Sequence, residues 1–76
     1  MKTKYVLETP EYTGVYYTGF MTPGGVPEMT NNIDNAATYD NASDVQCVRS
    51  ILNNVHNKPM NIREVIVNIK TGKLLD

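Results

Sequence analysis

One stretch of the sequence, residues 45–55, has the periodicity of an amphipathic helix. Its apolar residues recur at three- and four-residue spacing: Val45, Val48, Ile51, Leu52 and Val55. Residues 43–46 (SDVQ) have the form of a capping box, and Asp40 is an alternative cap one turn earlier. Pro59 predicts that the helix ends near Asn57. A single helix with one apolar face needs another layer to cover that face, and the rest of the sequence favours a sheet.

Segments with the alternation or the residue types of β-strands flank this helix. They are residues 4–8, 15–20 and 35–40 before it, residues 63–70 after it, and residues 74–75 as a candidate short last strand. The short connection between the first two predicts an antiparallel hairpin. In the strand after the helix, Val65, Val67 and Ile69 are predicted to face the core. The predicted fold is a single α+β domain, residues 1–76, with a small antiparallel sheet in the order β-β-β-α-β and one helix packed on a face.

Residues 21–34 (MTPGGVPEMTNNID) are the longest segment in which we predict no regular element. Two prolines and the pair Gly24-Gly25 interrupt regular structure there. Loops of more than about 12 residues are uncommon in compact domains and are usually either functional or disordered. Glycines let the backbone approach a ligand or partner closely, so this loop is a candidate contact segment. As a phosphate-binding motif it is a weak match, because neither a lysine nor a helix follows in the required place.

The chain is too short to be very stable alone. A domain of this size buries roughly 60% of the surface that its unfolded chain exposes. One cysteine, Cys47, and one histidine, His56, exclude a disulfide within the chain and a metal site built from several such ligands. We therefore expect the protein to gain stability by forming a homo-oligomer.

The sequence does not predict an enzyme. Cys47 and His56 lie nine residues apart on the predicted helix, on opposite sides and about 13 Å apart along its axis, so they cannot act as a nucleophile and its base. Three carboxylates, Asp34, Asp40 and Asp44, fall near the helix start, where capping and turn formation explain them, and their spacing is not that of a calcium loop. We expect no catalytic site, no metal and no cofactor.

Charge and composition narrow the choice of partners. Seven basic and eight acidic residues give a net charge of −1, which disfavours binding to a nucleic-acid backbone. A single cysteine fits a reducing compartment. No apolar stretch of signal-peptide or membrane-spanning length follows the basic residues Lys2 and Lys4. The predicted location is the cytoplasm, with no membrane contact.

Tyrosine and arginine side chains are the other candidate binding residues. Tyr12, Tyr16 and Tyr17 gather near the second predicted strand, and neighbouring residues on a strand point to opposite faces. We therefore expect at least one of Tyr16 and Tyr17 to be exposed. With Arg49 or Arg63 nearby, such a tyrosine could stack on a base or contact a protein. Ordinary cross-strand packing is the alternative interpretation.

The segments KYVLET, GVYYTGF and NAATYD, followed by a capped helix and a closing strand, resemble small orphan proteins of bacteriophages and other mobile elements. Anti-CRISPR proteins and other inhibitors of bacterial defence are among them. The resemblance covers most of the chain in size, element order and composition. It implies a protein of the host bacterial cytoplasm that blocks a defence enzyme.

Three functions remain open on the sequence. The first is a non-catalytic inhibitor that occupies a protein effector of a bacterial defence system, using the tyrosine-bearing sheet and residues 21–34. The second is an oligomeric sponge that sequesters a nucleotide immune signal between tyrosine and arginine side chains. The third is a structural accessory protein of a mobile element, with self-assembly as its only activity.

Overall fold

A computed structural model of the protein describes residues 2–75. Its elements, in chain order, are β1 (Lys2–Glu8), β2 (Tyr16–Met21), β3 (Pro27–Thr30), a 3₁₀ turn (Ile33–Asn35), α1 (Ala42–His56), β4 (Asn61–Val67) and β5 (Leu74–Leu75). The strands form one antiparallel sheet in the order β3-β2-β1-β4-β5, and α1 packs on it against β1 and β4. The predicted α+β class, with one helix on an antiparallel sheet, is confirmed.

Strand β1 is the centre of the sheet. It pairs along its whole length with β4, from Lys2 opposite Val67 to Glu8 opposite Asn61. Its two middle apolar residues, Val6 and Leu7, are both fully buried. Because successive side chains on a strand point to opposite faces, both faces of the sheet must be covered here.

Two apolar clusters provide that cover. On the helix side the buried members are Leu7, Tyr17, Val45, Leu52 and Met60. On the other side they are Val6, Tyr16 and Val65, with Ile33, Ala36 and Leu74 packed against them. Around this cluster the second face is therefore covered by Ile33 and Ala36, from the segment around the 3₁₀ turn, and by Leu74 of β5.

The position of the third strand was predicted wrongly. The strand is Pro27–Thr30, inside the segment for which we predicted no regular element, and not residues 35–40. Proline is compatible with this strand because it stands first in an edge strand, where no ladder hydrogen bond needs its missing N–H. Within residues 35–40 only Tyr39 forms a β-bridge, with Tyr5 of β1.

That bridge belongs to a wedge, residues 36–39, that fills a gap between β1 and β2. The two strands pair at Glu8 and Tyr16 and then diverge. Tyr5 and Tyr39 exchange two backbone hydrogen bonds of 2.9 Å, and the Ala37 N–H donates to the Tyr17 carbonyl at 3.0 Å. The wedge thus satisfies backbone groups on β1 and β2 that the other strand no longer reaches.

Strand β4 also ends earlier than predicted. Val65 is buried and Val67 is half-buried, as expected, but the strand stops at Val67, and Ile69 is 73% exposed. Asn68 begins a turn instead: its side-chain oxygen accepts the Lys70 N–H at 2.9 Å. The prediction that Ile69 faces the core was therefore wrong, because the turn rotates it out of the strand alternation.

The helix follows the sequence prediction closely except at its cap. It ends at His56, and Asn57 is the C-cap in the left-handed conformation. The N-cap is Asn41, not Ser43 or Asp40: the Asn41 side-chain oxygen accepts the Asp44 N–H at 2.9 Å, and the Asn41 amide donates to the Asp44 carboxylate at 3.0 Å. Asn41 therefore caps the helix through the Asp44 N–H, and the side-chain hydrogen bond to the Asp44 carboxylate holds the Asn41 amide in place.

We expect Asn41→Ala to lower the free energy of unfolding by about 1 kcal/mol, since it removes the N-cap acceptor. Ser43→Ala is the matched control, because Ser43 lies inside the first turn of α1. Its effect should lie within about 0.5 kcal/mol of zero. Urea denaturation of both variants measures the difference. Equal losses would contradict this assignment of the cap.

Gly19 sets the course of β2 beside the wedge. Its φ is +91°, and a Cβ built there would lie 3.2 Å from the Ala37 Cβ. We expect Gly19→Ala to lose about 1 to 2 kcal/mol through the left-handed backbone alone, and more through the contact with Ala37. Gly72→Ala is the control, because Gly72 has φ +71° and open space around it. Thermal denaturation should show the larger loss of stability for Gly19→Ala. Equal losses for the two variants would mean that Ala37 moves away at no cost, which would contradict the tight contact.

Candidate functional site

Strands β2 and β3 form an antiparallel hairpin, here called the arm, which extends past the point where β1 leaves β2. Its tip, residues 22–26, is a closed turn. The Thr22 N–H donates to the Val26 carbonyl at 2.7 Å, and the Gly25 N–H donates to the Thr22 carbonyl at 2.9 Å. Gly24 and Gly25 are exposed in this turn, and Gly25 has φ +79°, which explains the need for glycine. The predicted contact loop therefore contains the turn and the second strand of a hairpin.

The arm carries three large apolar side chains in solvent. Phe20 is 69% exposed, Val26 is 57% exposed and Met21 is 42% exposed. Met21 pairs with Pro27, the residue after Val26, so the exposed side chains come from both sides of the same turn. Apolar residues scattered singly on a surface are ordinary, whereas several grouped on one projecting element are typical of contact sites. We call Phe20, Met21 and Val26 the arm patch.

An irregularity in β2 accounts for the exposure of the arm patch. Tyr17 pairs with Met29, and Met21 pairs with Pro27. Between these two pairs β2 has three residues, whereas β3 has one. The two extra residues on β2 lie where Gly19 takes its positive φ. Such bulges bend a strand and redirect its side chains. The arm patch therefore does not continue the buried side of Tyr17.

A groove of about 420 Å³ lies beside Phe20. Its walls also include Thr18, Glu28 and Asn35. The Thr18 hydroxyl donates to the Glu28 carboxylate at 3.1 Å and so orients it. Among residues 2–75, no cationic side chain forms an ion pair with Glu28. The groove thus combines an exposed aromatic ring with a carboxylate that has no internal counter-ion.

Tyr16 and Tyr17 are both buried, at 2% and 6% exposure, so the prediction that at least one is exposed was wrong. Their side chains do point to opposite faces, as strand geometry requires, but both faces are covered at this place. Tyr12, in the turn between β1 and β2, is 66% exposed and lies outside both clusters.

The two candidate arginines have internal partners. Arg63 forms an ion pair with Glu8 at 3.0 Å and donates to the Tyr16 hydroxyl at 3.1 Å. The same Glu8 oxygen accepts the Gly14 N–H at 3.1 Å, which ties the turn after β1 to β4. Arg49 donates from Nε to the Met60 carbonyl at 2.9 Å. The structure does not bring these arginines together with an exposed tyrosine.

The residues weighed for chemistry are dispersed. Cys47 is exposed and His56 is half-buried on α1. Within the part of the chain that the structure describes, no three His, Cys, Asp or Glu side chains are grouped so that they could hold a metal ion.

Among residues 2–75 there is no helix with the length and apolar character needed to cross a bilayer.

No known protein family, curated protein sequence or solved structure matches this chain. The sequence places Phe20 in a predicted strand, residues 15–20, and Val26 in residues 21–34, for which it predicts no regular element. The exposure of the arm patch can be seen only in the folded chain. A period-2 pattern predicts a strand, but it does not show whether that strand extends beyond the part of the sheet that is covered.

Proposed function

We propose that the protein is a non-catalytic, phage-encoded inhibitor of a bacterial defence system, which acts by binding a protein effector through the arm. The observation that carries this proposal is the exposure of Phe20, Met21 and Val26 together on one ordered hairpin. The apolar side chains of the arm would fill a pocket on the effector, and the body of the domain would cover part of its working surface.

The arm patch is large enough to matter energetically. Complete burial of an exposed Phe, Met or Val side chain is worth about 1.5 to 3 kcal/mol. Binding energy at protein interfaces is concentrated in a few such anchors at the centre of the contact. Because the arm patch is already partly covered by its own chain, its contribution is smaller than three full burials.

The arm also offers its patch in a fixed conformation. Its tip is closed by the Thr22 and Val26 backbone hydrogen bond of 2.7 Å, and its base is held by the Ala37 contact to the Tyr17 carbonyl. An interface that is ordered before binding loses less conformational entropy when the complex forms.

Glu28 suggests the chemistry of the effector surface. A guanidinium or ammonium group in the groove would face the Phe20 ring and the Glu28 carboxylate at once, which combines a cation–π contact with a charge-assisted hydrogen bond. The arm is therefore suited to an effector that presents an arginine or lysine beside an apolar pocket. Glu28→Lys should weaken such a complex by placing like charges together.

The experiment that tests the proposal is phage plating on bacteria that each carry one defence system and express this protein. The proposal expects one system to lose its protection, so that plating efficiency rises to that of undefended cells. The variant Phe20→Ser/Val26→Ser should restore protection. Protection that stays intact for every system, with the protein folded and expressed, would overturn the proposal.

A further inference from the structure

A second concave surface lies on the side of the sheet opposite α1. This cleft has a volume of about 420 Å³. The residues that shape it most are Lys4, Asp34, Thr38, Val67, Lys73 and Leu74. They come from β1, the segment around the wedge, the end of β4 and the start of β5. We call it the lysine cleft. Sites for small ligands typically measure about 300 to 1,000 Å³.

Positive charge exceeds negative charge around the lysine cleft. The Asp40 carboxylate is shared by two ammonium groups, Lys4 at 3.1 Å and Lys2 at 3.7 Å. The hydrogen bond from Lys4 and the charges of both lysines lower the pKa of the Asp40 carboxyl from its ordinary value of 3.8. Lys73 forms no ion pair within residues 2–75. The residues that line the cleft itself carry two ammonium groups, Lys4 and Lys73, and one carboxylate, Asp34.

The walls of the cleft are mixed in character. Val67 and Leu74 are half-buried and give it an apolar side, continuous with the cluster of Val6 and Val65. Thr38 adds a hydroxyl that can donate or accept. Asp34 adds a carboxylate that can accept hydrogen bonds from a ligand. A ligand that fits must have an anionic group, an apolar surface and at least one hydrogen-bond donor.

We propose that the lysine cleft binds a phosphorylated small molecule of mononucleotide size. Its phosphate lies between Lys4 and Lys73, its apolar ring packs on Val67 and Leu74, and a hydroxyl or amino group donates to Asp34. This inference does not depend on the arm, because the arm is formed by β2 and β3, whereas the strands beside the cleft are β1, β4 and β5. It assigns the cleft residues, and not Tyr16, Tyr17, Arg49 and Arg63, to a nucleotide-like ligand.

A titration followed by ¹H–¹⁵N NMR tests this, with adenosine monophosphate, adenosine and inorganic phosphate as separate probes. The proposal expects saturable shifts at the amides of Thr38, Gly72 and Lys73 with the nucleotide. Adenosine and inorganic phosphate should each bind at least about tenfold more weakly, because each lacks one of the two contacts. Inorganic phosphate that binds as tightly as the nucleotide would overturn the assigned ligand class.

Two lysine variants separate a site from general charge attraction. Lys73→Gln should weaken nucleotide binding about tenfold, the loss of one charge-assisted contact. Lys58→Gln is the control, because Lys58 lies away from the cleft. Its ammonium group forms an ion pair with the Glu11 carboxylate at 3.6 Å. The spectrum of each unliganded variant shows whether it is folded. Equal weakening by the two variants, shifts that never saturate, or shifts centred elsewhere would each overturn the proposal.

Discussion

Leu52→Ala is expected to remove a large share of the stability of the domain. Leu52 is 1% exposed and lies in the cluster between α1 and the sheet, with Leu7 and Met60. Removal of a buried leucine side chain costs about 2 to 5 kcal/mol, because transfer free energy is lost and a cavity remains. A chain of 76 residues has a total stability of only about 4 to 11 kcal/mol. Circular dichroism with urea denaturation measures the loss.

The matched control for Leu52→Ala is Val55→Ala on the same helix. Val55 is 71% exposed, although the sequence pattern assigns it to the same apolar stripe. Its truncation removes little buried area, and alanine favours helix slightly more than valine does, so the change should lie within about 0.5 kcal/mol of zero. Comparable losses for the two variants would contradict the burial that the fold assigns to α1.

Phe20→Ser/Val26→Ser is expected to weaken binding to the effector at least about 100-fold while leaving the domain folded. Loss of each interface anchor is expected to cost about 1.4 kcal/mol or more, which corresponds to one factor of ten, so the two losses together give about 100-fold or more. Both side chains are more than half exposed, so their loss costs the free protein little. Calorimetry against the purified effector measures the effect.

The control for the arm variant removes equally exposed apolar side chains elsewhere. Val55→Ser/Ile69→Ser alters residues that are 71% and 73% exposed, on α1 and after β4. It should leave the affinity for the effector unchanged within about twofold. If this variant weakened binding as much as the arm variant did, the arm would not be the contact surface.

Local sequence patterns correctly predicted the elements that are determined by residues close together in the sequence. The helix and its end at Asn57 followed from periodicity and turn residues. The first two strands are antiparallel as predicted, but they pair only at Glu8 and Tyr16. The helix cap did not follow from such patterns, because Asn41 and Ser43 both have a suitable oxygen, and only the course of the preceding wedge selects Asn41.

Pairing between distant segments explains why the third strand was predicted at the wrong place. Residues 35–40 have the composition of a strand, but the space beside β1 admits only the single bridge of Tyr39 with Tyr5. Pro27–Thr30 has weak strand character and becomes a strand because β2 offers it an unpaired edge. Such tertiary effects cannot be read from a local window.

The candidate site was predicted less well than the fold, for a similar reason. Tyr16 and Tyr17 have the residue type of contact side chains, yet two covered faces bury both. Phe20 has the residue type of a core side chain, yet the irregular strand after Gly19 exposes it. Residue type alone is therefore misleading for both the tyrosines and Phe20, because the path of the backbone determines which of these side chains are exposed.

Native mass spectrometry of the protein, purified gently from bacteria that carry the defence system it blocks, tests the central claim most directly. Binding through the arm predicts a complex whose mass equals this chain plus the effector, and its absence when Phe20→Ser/Val26→Ser replaces the wild type. If the wild type still blocked the defence but appeared only as the bare chain or with a small-molecule mass added, effector binding would be contradicted.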